Sequence, residues 1–132
     1  MNRSHEHAKS LLKKARDDQH AMAALMEDTN SARWIVGFHA QQSVEKAIKA
    51  VLAERGIEFP FTHDLVRLLE LLPDAGASLP PDATELAILN PYGAMFRYEE
   101  PSSSQSLLDQ GRVKELVART LDWAEHALET RG

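Results

Sequence analysis

The chain has 132 residues, of which 43% are hydrophobic and 27% are charged, and it contains no cysteine. This length fits one domain with one core, and the lack of cysteine excludes disulfides and thiolate metal sites. With 20 acidic and 15 basic residues the formal net charge is -5, which argues against a protein that coats nucleic acid. We find neither a signal peptide nor the roughly 20 apolar residues that span a bilayer, so we expect a cytoplasmic protein without membrane contact.

Apolar residues recur at intervals of three and four along most of the chain, which is the pattern of amphipathic helices. This pattern predicts a first helix from Ser4 to about Glu27 and a second from about Ala32 to Arg55, with Gly56 as a left-handed stop. One side of the second helix is rich in alanine and valine, so we predict that this helix lies at the centre of the molecule. The residues of that side are Ala40, Val44, Ala47, Ile48 and Val51.

Three more helices are predicted in the second half of the chain. The first of them is capped by Thr62 and stopped by Pro73. Their predicted ranges are about 63–72, 82–89 and 107–129. No segment shows the alternation of a strand. We therefore predict an all-α fold, an antiparallel up-and-down bundle of four to five helices that forms a single domain over residues 1–132.

A polar stripe follows the second helix on the side opposite its alanines and valines. It consists of His39, Gln42, Lys46 and Lys49. An imidazole, an amide and two ammonium groups in one line suit a phosphate or a nucleotide. The simpler interpretation, which the spacing alone favours, is a solvated helix face on which Glu45 and Lys49 form an ordinary pair one turn apart.

Two further polar clusters are candidates for binding. The triplet 62–64, Thr-His-Asp, opens the third helix, where the helix N-terminus attracts anions and His63 could assist. A simple helix cap explains the same residues. Tyr92, Arg97 and Tyr98 could stack a base and hold a phosphate. Alternatively, Tyr92 packs into the core and Arg97 pairs with an acidic neighbour.

The second and third helices carry a resemblance to HEPN domains, in residues 38–72, FHAQQSVEKAIKAVLAERGIEFPFTHDLVRLLELL. That family typically shows Phe-His-x-Gln-Gln-x-x-Glu-Lys-x-x-Lys-Ala on one helix and Thr-His-x-Leu after a short link. The matching positions are Phe38, His39, Gln41, Gln42, Glu45, Lys46, Lys49, Ala50, Thr62, His63 and Leu65. Residues 89–101, LNPYGAMFRYEEP, look like the family's later segment that ends in Arg-Tyr-Pro.

The resemblance implies a helical bundle that forms a symmetric homodimer. It also implies a minimal nucleotidyltransferase as partner, either in a toxin–antitoxin pair or with this chain as an accessory nucleotide-binding subunit. Many HEPN domains are metal-independent ribonucleases that use Arg-x(4–6)-His. No histidine follows Arg97 at that spacing, and the match between Arg33 and His39 lies outside the segment where the motif belongs.

We therefore favour a non-catalytic or weakly active partner of a minimal nucleotidyltransferase over a ribonuclease toxin, with a purely structural dimeric adaptor as a third hypothesis. The predicted groove consists of His39, Gln42, Lys46, Lys49, His63, Arg97 and Tyr98. In it, Lys46 and Arg97 would contact the phosphate of a nucleotide or RNA and Tyr98 would stack. His39 and His63 would donate hydrogen bonds.

We expect neither a cofactor nor a metal site. His5 and His7 are two residues apart, so their side chains diverge on a helix and make a poor pair of metal ligands. An apolar set that five small helices can hardly bury supports the homodimer, because such patches usually mark interfaces. The set consists of Trp34, Ile35, Phe38, Met95 and Phe96.

Overall fold

The fold is given by a computed structural model that describes residues 3–28, 33–93 and 109–129. In these ranges the chain forms helices and no strand, which confirms the predicted all-α bundle. The helices are α1 (Arg3–Glu27), α2 (Arg33–Glu54), α3 (Leu65–Asp74), the 3-10 helix η1 (Glu85–Tyr92) and α4 (Gln110–Glu129). None of the described helices combines the length and the apolar composition that crossing a bilayer requires.

α1 and α2 run antiparallel, and three polar contacts set their register. His5 lies 2.7 Å from Glu54 at one end of the pair. In the middle, the Ser43 hydroxyl donates to the Ala15 carbonyl at 2.7 Å. One turn further along the pair, His39 lies 3.0 Å from Asp18. Residues late in α2 therefore face residues early in α1, as a hairpin of two long helices requires.

α2 is the central helix, as its sequence predicted. Of its 22 residues, 14 are buried, and it contacts α1, α3, η1 and α4. Its alanines keep the surface slim, so four neighbours can approach it. The apolar stripes of the other helices pack against α2. Each side chain predicted for the core of α3 and α4 is buried. These side chains are Leu65, Leu68, Leu69, Leu72, Val113, Leu116, Val117, Leu121, Ala124 and Leu128.

Both α2 and α3 end at a left-handed glycine. Gly56 has a φ of 73° and Gly76 a φ of 75°. At each end, the amide of the following residue donates to a carbonyl five residues back, as the Schellman motif requires: Ile57 to Leu52 and Ala77 to Leu72, both at 3.0 Å. The predicted stop at Gly56 is confirmed.

The predicted ends of the third helix were wrong. Asp64 caps α3, because its carboxylate accepts from the Val66 amide at 3.0 Å, whereas the Thr62 hydroxyl accepts from the Asp64 amide. Pro73 lies inside the last turn instead of stopping the helix. A proline obstructs only the carbonyl four residues earlier, so α3 continues until Gly76 turns the chain.

The fourth predicted helix was also misplaced. A turn at residues 81–84 precedes η1, which runs through Pro91 to Tyr92. Arg112 holds η1 against α4, because its guanidinium donates to both carboxylate oxygens of Glu85 on η1, at 2.6 and 2.9 Å. The hydrogen bond from Arg112 lowers the pKa of the Glu85 carboxyl. The bonds to Glu85 and Glu115 raise the pKa of the Arg112 guanidinium.

η1 packs against α2 at two glycines. A Cβ at Gly37 would lie 2.4 Å from the Tyr92 ring, and one at Gly93 would lie 3.2 Å from the Gln41 amide nitrogen. The Tyr92 ring is therefore packed directly on the backbone of α2, and it is only 2% exposed. Of the two interpretations of Tyr92, the core position is confirmed.

Gly37→Ala is expected to lower the free energy of unfolding by about 2 kcal/mol, because the new methyl group overlaps a buried ring that has little room to move. Urea denaturation followed by circular dichroism measures this change. Gly111→Ala serves as the control. Gly111 lies in the exposed first turn of α4, where a new Cβ would lie 3.3 Å from the exposed Asp109 side chain, so the expected change is within about 0.5 kcal/mol. A Gly37→Ala variant as stable as wild type would contradict the close packing of Tyr92 on α2.

Candidate functional site

The polar stripe of α2 is partly buried rather than solvated. The side chains of His39 and Lys46 are each 27% exposed and that of Lys49 is 14% exposed. These values contradict the simple interpretation of the stripe as a solvated helix face. Partly buried polar groups need hydrogen-bond partners, and the structure provides them from two carboxylates.

The first carboxylate belongs to Asp18 on α1. Lys46 donates to Oδ2 of Asp18 at 2.6 Å, and Nδ1 of His39 lies 3.0 Å from Oδ1. The Asp18 side chain is 13% exposed. Two stripe residues that are seven positions apart on α2 thus converge on one carboxylate of the neighbouring helix.

Sequence analysis missed Asp18, although the pattern of α1 contains a signal for it. Asp18 lies seven residues from both Leu11 and Leu25, which are partly buried against the core. Seven residues are close to two helical turns, so Asp18 lies on the flank of the apolar stripe. An acidic residue in such a position requires a partner from a neighbouring helix.

The second carboxylate is that of Glu45, whose side chain is only 4% exposed. It accepts from the buried Gln41 amide at 3.1 Å and from Lys49 at 2.8 Å, and Nδ1 of His63 lies 2.9 Å away. The predicted pair of Glu45 and Lys49 is present, but it is a partly buried pair with further partners. Gln41 also donates to the His63 carbonyl at 2.9 Å.

Gln42 extends the second group, because its amide donates to Oε1 of Gln41 at 2.7 Å. We call the two groups together the α2 network. It comprises Asp18, His39, Gln41, Gln42, Glu45, Lys46, Lys49 and His63. The five predicted site residues that lie in the described ranges thus divide between the two groups: His39 and Lys46 contact Asp18, whereas Gln42, Lys49 and His63 belong to the group around Glu45. The other two, Arg97 and Tyr98, lie outside the described residues, as do Met95 and Phe96.

The charges of the α2 network balance when its imidazoles are neutral, since two lysines face two carboxylates. An anion that binds Lys46 must therefore compete with Asp18. Both histidines direct Nδ1 to a carboxylate, which places the proton on that nitrogen. Nε2 is then an acceptor in the neutral ring and a donor only in the protonated ring. While the carboxylates stay in place, a second donor from His39 or His63 therefore exists only in the imidazolium form, whereas the Nδ1–H donor is available to a ligand that replaces the carboxylate.

The start of α3 offers little to an anion beyond His63 itself. The amides of residues 64, 65 and 66 already donate to the side chains of Thr62, Asn90 and Asp64, at 3.1, 2.9 and 3.0 Å. Asn90 of η1 also donates to Asp64 at 3.0 Å. Of the two interpretations of the triplet 62–64, the structure favours the helix cap.

Replacing Glu45 by alanine is expected to lower the free energy of unfolding by about 3 kcal/mol, because Gln41 and Lys49 then lose the acceptor of a buried network. Chemical denaturation of both proteins measures the difference. The matched control is Asp17→Ala. Asp17 pairs with Lys13 one turn away, but their side chains are 68% and 78% exposed, so the expected loss is below about 0.5 kcal/mol. Equal effects of the two substitutions would show that the Glu45 contacts contribute no more than a surface pair.

Comparison with known proteins places the chain in a family. The model of the HEPN domain matches residues 8–130, which is nearly the whole chain. No match was found among curated proteins or among solved structures. Among the described residues there is no group of three or more His, Asp or Glu that could hold a metal ion. The match covers most of α1 and all of the later described helices, and the fold is a helical bundle. The protein therefore belongs to the HEPN domain family, a family of nucleotide-binding or ribonuclease type.

Proposed function

We propose that the protein is a cytoplasmic, non-enzymatic partner of a minimal nucleotidyltransferase, in an accessory or toxin–antitoxin role, and that its α2 network binds a nucleotide or an RNA end. One observation carries the binding proposal. Lys46 and His39 converge on the two oxygens of a single partly exposed carboxylate, that of Asp18, at 2.6 and 3.0 Å. Two groups that meet on one carboxylate are placed to meet on two oxygens of one phosphate.

Asp18 thus marks the position of an oxyanion. In the free protein its carboxylate holds the Lys46 ammonium and the His39 ring in a fixed direction. A phosphate would take over these contacts, with Nδ1–H of His39 as the donor, while Asp18 turns towards solvent. The ordering of the two side chains is then already present before binding, which lowers the entropy that the ligand has to supply.

The remainder of the network would contact the other parts of the ligand. Gln42 has a partly buried amide that donates to Gln41, and His63 has a side chain that is 54% exposed. Both are able to bond to sugar hydroxyls or to base edges. Arg97 would add a second contact to phosphate and Tyr98 would stack on a base, as the sequence predicts.

The proposal is tested with two substitutions of opposite expected effect. Lys46→Ala removes the ammonium group, so we expect the Kd for ATP to rise at least tenfold, since hydrogen bonds to charged groups contribute about 1.5–3 kcal/mol. Asp18→Asn removes the competing carboxylate, so we expect ATP to bind more tightly than to wild type. Isothermal titration calorimetry measures both values. Lys13→Ala, which removes an exposed lysine of α1, should leave the Kd unchanged.

Absence of ATP binding to wild type, or equal binding by all four proteins, would remove the binding role and leave the structural adaptor.

The same proteins incubated with RNA in EDTA test the ribonuclease hypothesis. Two imidazoles oriented by carboxylates are suited to proton transfer, which is the observation in its favour. RNA cleavage that is lost in His39→Ala would establish the enzyme and overturn the non-enzymatic role.

A homodimer is the second part of the proposal. Trp34, Ile35 and Phe38 at the start of α2 are only partly buried in the single chain, which leaves apolar surface for a second copy. Light scattering of wild type at micromolar concentration should give the mass of two chains. Ile35→Glu should shift this mass towards one chain. Val66→Glu, at an apolar side chain of α3 that is 41% exposed, should not.

A monomeric wild type, or a dimer that survives Ile35→Glu, would contradict this assignment of the interface.

The partner is tested by co-purification. A minimal nucleotidyltransferase encoded beside this chain is expected to elute with the wild-type protein at a defined stoichiometry. Separate elution at micromolar concentrations of both would contradict the partnership.

A further inference from the structure

Phe61 is the most exposed large apolar side chain among the described residues. It lies in the link between α2 and α3 and is 100% exposed. Its ring meets the ring of His63 edge-on, with the two centroids 6.4 Å apart, and this contact leaves the phenyl group in water. A ring of this size gains free energy when a partner covers it, because apolar surface is then removed from water.

The backbone on both sides of Phe61 is restrained. Pro60 precedes it, and the proline ring fixes the φ of that residue. Directly after Phe61, the Thr62 hydroxyl accepts from the Asp64 amide at 3.1 Å, and Asp64 caps α3. The Phe61 ring therefore needs little ordering of its backbone when a partner covers it, which lowers the entropic cost of association.

A cavity of about 430 Å³ lies beside this link, between the first turns of α1 and the end of α2. Ala53, Ile57 and Phe59 supply its apolar wall. Phe61 is two residues beyond Phe59, so their Cα atoms are at most about 7 Å apart. The Phe61 ring lies outside the cavity of its own chain, since it is fully exposed. The volume is sufficient for a phenyl ring, because a cavity of about 150 Å³ already holds benzene.

Two opposite charges belong to the lining of the same cavity. Arg3 comes from the first turn of α1 and Glu58 from the link, and both are exposed. Neither of them forms an ion pair with another residue in the described ranges. One small surface thus combines a projecting ring, a recess and unpaired charges of both signs.

We infer that this surface binds the same surface of a second copy of the chain, with each Phe61 ring in the cavity of the other copy. A contact about a two-fold axis brings one patch against itself, so that residue i meets residue j and j meets i. Such a patch has to carry both a projection and a matching recess, and it has to carry both signs of charge. A surface for an unrelated protein requires neither. Arg3 of each copy then faces Glu58 of the other.

This contact is separate from the dimer proposed at the start of α2 and goes beyond the proposed function. α2 has 22 residues, so its two ends are about 30 Å apart, and one chain can use both surfaces at once. Two-fold contacts at both ends of α2 join dimers into tetramers or longer assemblies. One ring and one charge pair from each copy form less than a standard interface of about 1,600 Å², so we expect weak association that requires about 100 µM protein or more.

A photoreactive p-benzoylphenylalanine in place of Phe61 tests the contact directly. Irradiation at about 200 µM protein should give a covalent dimer whose cross-link maps to residues 53–59 of the other copy. A mixture of isotope-labelled and unlabelled chains identifies the cross-links between copies. The same amino acid in place of Leu79, which is 49% exposed, should give no such dimer. No dimer from position 61, or cross-links outside the cavity, would overturn the contact.

Charge exchange between copies provides a second test, in the Ile35→Glu background so that the start of α2 does not contribute. Phe61→Ser should raise the Kd of self-association at least about a hundredfold, because two rings per contact are lost. Glu58→Arg and Arg3→Glu should each weaken association about threefold or more, since like charges then face each other. A mixture of these two variants should associate as the background protein does. Sedimentation equilibrium measures all four cases. Unchanged association of Phe61→Ser, or no recovery in the mixture, would contradict the reciprocal contact.

The two association surfaces fail in different ways. A micromolar dimer that is dissociated by Phe61→Ser but not by Ile35→Glu would support the contact at the cavity and overturn the interface at the start of α2. A micromolar dimer that is dissociated by Ile35→Glu, together with no cross-link from position 61 at high concentration, would overturn the contact at the cavity and leave the other interface standing.

Discussion

The hydrogen bonds of the buried Glu45 carboxylate are the interactions on which the larger of the two groups in the α2 network depends. A charge inside a protein is tolerated only when hydrogen bonds and an opposite charge compensate its loss of water. Gln41, Lys49 and His63 provide these partners at 3.1, 2.8 and 2.9 Å. Because His63 precedes α3, this carboxylate also ties the start of that helix to α2. It thereby fixes the direction of the Gln41, Lys49 and His63 side chains.

Asp18 repeats this arrangement in a form that is open to exchange. Its side chain is 13% exposed, whereas that of Glu45 is 4% exposed. Water or an anion can therefore reach the contacts of Asp18 with Lys46 and His39, while those of Glu45 with Gln41 are shielded. Under the proposed function, this difference in burial would separate a carboxylate that maintains the fold from one that a phosphate replaces. It would also make a network without net charge compatible with an anionic ligand.

The helices and their buried faces could be predicted from sequence because burial follows the spacing of apolar residues. Leu65, Leu68 and Leu72 of α3 are each fully buried, as their intervals predicted. The helix ends were harder, since each end depends on a local competition between hydrogen bonds. Thr62 and Asp64 are both good caps by residue type, and only the backbone conformation at Asp64 decided between them. Pro73 did not mark the end of α3, because a proline in the last turn obstructs only the carbonyl four residues earlier.

The sequence by itself determined the helical fold, the central place of α2 and the line of polar groups along it. Each of these follows from the spacing of residues within individual helices. Only the tertiary structure decided which charges that line meets. Asp18 is 21 residues from His39 and 28 from Lys46 along the chain. No periodicity within α2 encodes this contact, which arises from the antiparallel register of two helices. The cavity beside Phe59 has the same origin, because its walls come from the first turns of α1 and the end of α2, which the helical hairpin brings together.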